Sequence, residues 1–139
     1  MRAAAIFCLA LLWLVQPALA DNTSQRVIID LHAPRAEIRA ALLKQTPPGS
    51  RIESVMEFIA KRLEPRESGS AITVQPTQDA SRPRVAKTMR VFLGQYYQHI
   101  GAVFLTAPMV VREQVSAEWL FDRQGRLIDV VVERQAGVY

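Results

Sequence analysis

Two runs near the C-terminus, 115–122 and 127–134, are rich in β-branched and aromatic residues and flank the polar segment Arg123-Gln124-Gly125-Arg126. That pattern specifies an antiparallel hairpin, because a glycine in a short polar connection permits the reversal that two strands need. Val115, Ala117, Trp119 and Phe121 alternate with Ser116, Glu118 and Asp122. A period of two places the apolar set on one sheet face. On the return strand Ile128, Val130 and Val132 are expected to share that face, with Asp129 and Glu133 opposite. Asp122 reads as a turn residue whose carboxylate takes backbone N–H groups. The apolar face must be covered, so Trp119 is expected to point at a layer of helices.

The cover lies upstream. Pro34 suits the start of a helix and Glu37 complements its dipole. Ile38, Ala41 and Leu42 form its stripe, and it should run to about Lys44. Thr46-Pro47-Pro48-Gly49 breaks it. Ser50 with Glu53 then reads as a capping box. Ile52, Val55, Met56, Ile59 and Leu63 follow at helical spacing with Phe58 beside them, and Pro65 ends the second helix. Arg26 to Leu31 reads as a strand, Ser68 to Pro83 as loop with a short strand near 71–75, and 109–114 and 103–105 as extended, interrupted at Pro108.

The segment 85–101 fits two patterns. Met89, Phe92, Leu93, Tyr96, Tyr97 and Ile100 match helical spacing, whereas Met89, Val91 and Leu93 match a strand. Gly94 would cost a helix interior about 1 kcal/mol relative to Ala, and Thr88, Val91, Phe92 and the tyrosines favour strand. Strand is therefore expected, with Gly94 marking a bulge. The resulting fold class is α+β, two helices packed on one face of an antiparallel sheet of about 3–5 strands.

Pro47-Pro48-Gly49-Ser50, Leu93-Gly94-Gln95-Tyr96, and Trp119-Leu120-Phe121-Asp122 with Gly125-Arg126-Leu127-Ile128-Asp129-Val130 together carry a resemblance. The chain resembles small exported bacterial proteins in which a final hairpin carries a Phe-Asp…Gly-Arg-Leu turn. It is similar in layout to the envelope domains of the BamE/SmpA type and to the β-lactamase-inhibitor-protein repeat. The resemblance spans roughly residues 34 to 134, implies the two-helix and sheet layout, and supplies no catalytic residue. The chain departs from the lipoprotein members, since no cysteine follows its leader.

Residues 1–20 have the three parts of a secretory signal: Arg2, the uncharged apolar run from Ala3 to Val15, and Ala18-Leu19-Ala20 as a small-x-small cleavage site. The run is shorter than the ~20 apolar residues of a spanning helix. A cleaved signal, a single domain over 21–139, a periplasmic or secreted location and no transmembrane anchor after cleavage are expected. Cys8, the single cysteine, sits inside the leader, too early for lipidation. The exported part then has no disulfide, thiol nucleophile or Cys-ligated zinc.

His32 and His99 share no ligand spacing, so no metal is expected. Ser50 is accounted for by capping, no Gly-x-Ser-x-Gly surrounds any serine, and no phosphate-cradling glycine loop appears. Glu118 with Asp129 or Glu133 reads as the solvated face of a sheet rather than an acid–base pair. No catalytic residue and no cofactor are assigned. The expected class is an exported, non-catalytic binding or scaffolding module acting through protein–protein contacts in the cell envelope; the alternative is a small periplasmic ligand carrier or hydrolase with a cleft between helices and sheet. Net charge is a modest +4, but between Asp79 and Glu113 every charged residue is basic. Arg82, Arg84, Lys87 and Arg90, with Tyr96 and Tyr97, are the candidate partner-binding residues, directed at an envelope protein or an anionic envelope component and not at nucleic acid.

Overall fold

The computed structural model describes residues 25–64, 72–77, 79–101 and 109–138. The leader with Cys8, Val103 to Leu105, and Pro108 lie outside the described residues. Eight elements follow in order: β1 (Val27–Ile28), α1 (Arg35–Gln45), α2 (Ile52–Lys61), β2 (Leu63–Glu64), β3 (Thr73–Pro76), β4 (Lys87–Ile100), β5 (Met109–Phe121) and β6 (Leu127–Val138). The last four form an antiparallel meander in the order β3-β4-β5-β6, and β1 and β2 form a small parallel pair. The fold is α+β, with two helices and a four-stranded antiparallel sheet. Among the described residues no helix is long and apolar enough to cross a membrane.

The segment around Tyr96 is strand, as its β-branched and aromatic content requires. Its ladder with β5 shifts register between Phe92 and Gly94, and Gly94 has φ 153°, where a side chain would be strained. The bulge changes the parity of the strand. Met89, Val91 and Leu93 face the helices before it, and Tyr96 faces the same way after it; all four are buried. Tyr97, on the opposite face, is 56% exposed.

Trp119 and Phe121 are fully buried against Leu42, Val55 and Ile59 in one core. The indole N–H donates to Thr46 Oγ1 at 3.2 Å, and that hydroxyl donates to Leu42 O at 2.9 Å. Thr46, the residue that closes α1, thereby satisfies the polar atom of the largest core side chain. At the edge strand of the sheet Arg39 ties α1 to β6, donating to Asp129 Oδ1 at 2.7 Å and to Val130 O at 3.1 Å.

Three expectations are corrected. Leu127 rather than Ile128 takes the inner position, because a second register shift at Leu120/Phe121 pairs Phe121 with Leu127 and leaves Ile128 as the extra residue. Ser50 and Glu53 form no capping box: Ser50 Oγ donates to Pro47 O at 2.6 Å, and Arg51 occupies the cap position without a side-chain bond. The N–H of Ile52 goes instead to Gly125 O at 3.0 Å, a partner distant in sequence. Finally, α2 ends at Lys61, before Pro65, because Leu63 and Glu64 leave the helix to pair with Val27 and Ile28.

Candidate binding site at the basic end

The turn joining β5 to β6 is held by one carboxylate. Asp122 Oδ1 accepts from Gln124 N at 2.9 Å and Arg126 N at 2.8 Å, while Gly125 N donates to Asp122 O at 3.1 Å. Gly125 adopts φ 73°, a left-handed conformation that favours glycine. The turn is thus a rigid platform that presents Arg123 and Arg126 outward.

The chain entering α2 is clamped to this platform. Gly49 N donates to Leu127 O at 2.7 Å, Leu127 N to Ser50 O at 2.8 Å, and Ile52 N to Gly125 O at 3.0 Å. Arg51 and Arg126 become direct partners across an isolated antiparallel bridge. Lys87, the first residue of β4, arrives at the same end because it pairs with Phe121. Together Arg51, Lys87, Arg123 and Arg126 line an open pocket of about 420 Å³, in which Glu53 is the single carboxylate.

The surrounding charge balance sets this pocket apart. Asp129 is paired with Arg39 at 2.7 Å, Glu57 with Lys61 at 2.7 Å, and Glu118 with Arg82 at 3.4 Å. Glu133 is paired with Arg90 and Glu64 with Arg26. Arg51, Lys87 and Arg123 form no ion pair with another described residue. Among the described residues the Arg126 guanidinium donates only to Gly49 O, at 3.4 Å. The four cations of this end are therefore in no ion pair among the described residues, with the carboxylates of Glu53 on the pocket and Asp122 in the turn beside them.

The six residues singled out in the sequence divide between four places. Lys87 lines the pocket. Arg82 and Arg84 lie in the preceding loop, which is tied to the same end by Ala86 N donating to Phe121 O at 2.8 Å. Arg82 is engaged there by Asp79 and Glu118, and Ser81, through its hydroxyl and its N–H, holds the Asp79 carboxyl below the ordinary value. Arg90 and Tyr97 stand on the open sheet face. Tyr96 is on the helix side, donating to Glu113 at 2.5 Å with its ring 4.2 Å from that of His32. Burial, and then the Glu113 hydrogen bond, raise its hydroxyl above the ordinary phenol value.

Sequence reasoning missed Arg51, Arg123 and Arg126. The two arginines bracketing Gln124-Gly125 were a signal, since the hairpin pattern already placed them at a turn. Nothing local tied Arg51 to them.

The described residues hold no group of three or more His, Cys, Asp or Glu side chains able to bind a metal. Glu118, Asp129 and Glu133 face Arg82, Arg39 and Arg90 respectively. The space between helices and sheet is filled by Trp119, Phe121, Met89 and Leu93. No family model matches the chain, and comparison with curated proteins and with solved structures finds no match.

Proposed function

We propose that this protein is an exported, non-catalytic binding module of the cell envelope that holds an anionic envelope component at its basic end. One observation carries the reading: four cationic side chains from three separate segments converge on one pocket lined by one carboxylate. The turn and the strand start hold the backbone of these residues in place, so an anion has only the exposed side chains of Arg51, Lys87, Arg123 and Arg126 to order when it binds. The envelope setting comes from the leader-like residues 1–20 and from the layout similar to small envelope domains.

The test is retention of the protein on native envelopes. Arg51→Glu with Arg126→Glu should lower retention while leaving the circular dichroism spectrum and melting unchanged in form. Added salt should do the same to the unaltered protein, because screening shortens from about 10 Å at 0.1 M to about 3 Å at 1 M. Retention indifferent to both the double reversal and salt would remove this end of the molecule from the account.

A further inference from the structure

We infer that the group held in this pocket is a phosphate monoester, bound as a dianion among Arg51, Lys87, Arg123 and Arg126. This rests on the anion-binding reading above and adds the chemistry of the anion.

The backbone forces the first pair of charges together. Arg51 and Arg126 oppose each other across a bridge, with backbone hydrogen bonds on either side at 2.8 and 3.0 Å. Like charges directly opposite across paired strands repel. Neither guanidinium has a described carboxylate partner to offset that repulsion. An anion between them turns one repulsion into two attractions.

The remaining lining sets the valence. Arg123 and Lys87 add two more positive charges, and Glu53 subtracts one. A carboxylate brings a single charge and two oxygens, which leaves most of this set unmatched. A phosphate monoester carries a charge of about −1.5 to −2 near neutral pH and three acceptor oxygens. Planar guanidinium forks can take its oxygens in pairs, and an ammonium binds as a point charge from another side. The volume of about 420 Å³ fits a phosphoryl group with a small ester substituent, being at the lower end of the ~300–1,000 Å³ typical of ligand pockets.

Glu53 gives the inference a local signature. It opposes the anion, so Glu53→Gln should tighten binding, whereas Arg51→Ala and Arg126→Ala should weaken it. Loss of a hydrogen bond to a charged group corresponds to about tenfold or more in affinity. In the ligand-free protein Arg126→Ala should melt no lower than the unaltered chain, because it relieves a like-charge pair. A purely structural arginine would show the reverse.

The experiment is calorimetric titration and thermal melting of the protein with glycerol 3-phosphate and with glutarate at matched ionic strength. A second arm measures sedimentation with phosphatidylcholine vesicles, with and without phosphatidic acid. Saturable binding of glycerol 3-phosphate that tightens in Glu53→Gln and weakens about tenfold or more in Arg126→Ala is the expected result. Sedimentation that needs phosphatidic acid and is competed by the soluble ester assigns a lipid headgroup as the source. Soluble binding without sedimentation assigns a free ester; both outcomes support the inference. It is overturned if no phosphate ester binds saturably, if glutarate binds equally well, or if Arg126→Ala binds normally. Should it fail while envelope retention still requires Arg51 and Arg126, the anion reading stands with a different ligand. Should retention also be indifferent to them, both readings fall.

Discussion

Replacing Thr46 by Val tests how the core accommodates its largest side chain. The two residues have nearly the same shape, so the change deletes a hydroxyl without opening a cavity. Leu42 O keeps a partner, since it also accepts from the Thr46 backbone N–H at 2.9 Å. Trp119 does not. Its indole N–H, now bonded at 3.2 Å and fully buried, is left without an acceptor. An orphaned buried donor costs about 1–3 kcal/mol. At about 4 °C per kcal/mol for a domain of this size, melting should fall by roughly 4–12 °C. The control is Trp119→Phe, which removes the N–H itself. In that background Thr46→Val should cost under about 0.5 kcal/mol, so the double-mutant cycle should give a coupling of about 0.5–3 kcal/mol. Urea unfolding followed by far-ultraviolet circular dichroism serves, because Trp119 is the only tryptophan outside the leader. Equal losses in both backgrounds would refute the argument and make the Thr46 hydroxyl a bystander.

Trp119→Ala should cost about 3–5 kcal/mol as a large buried aromatic, whereas Glu118→Ala, which loses an ion pair to Arg82, should cost under about 1 kcal/mol by denaturant midpoint. Tyr96 should impose an alkaline limit. Its folded value is raised by burial first and by Glu113 second, so its contribution is complete below the unfolded phenol value of about 10 and is lost as pH rises through the folded value. Melting from pH 8 to 11 should show a steeper decline in the unaltered protein than in Tyr96→Phe. Mass analysis of the exported form should find Asp21 as its first residue; a full-length chain in the membrane fraction would contradict that.

Much of the architecture was legible in the sequence because each signal was local. Alternation over 115–122 fixed which way Trp119 points, and a glycine inside an otherwise β-rich run marked the Gly94 bulge. Asp122 beside Gly125 announced the turn. What failed depended on partners far along the chain. Ile128 keeps the strand period in sequence, but a bulge set by the opposing residues Leu120 and Phe121 displaces it. The Ser50 and Glu53 spacing fits a capping box, yet the first helical N–H finds Gly125 O and the Ser50 hydroxyl turns back to Pro47. The candidate site was half visible for the same reason. A one-signed stretch exposed Lys87, but neighbouring residues in a strand point to opposite faces, so Tyr96 and Tyr97 do not share a surface. Arg51 and Arg126 look like unrelated polar residues until the backbone clamp between 49–52 and 125–127 brings them together.

Site-specific photo-crosslinking in intact cells tests the central claim most directly. A photoreactive side chain at position 124 stands on the basic turn without replacing any of the four cations, and one at position 97 stands on the open face of β4, far along the strand from Lys87. Salt-sensitive adducts with an envelope component are expected from position 124 and none from position 97. Adducts from position 97 alone, or equal adducts from both, would contradict the claim.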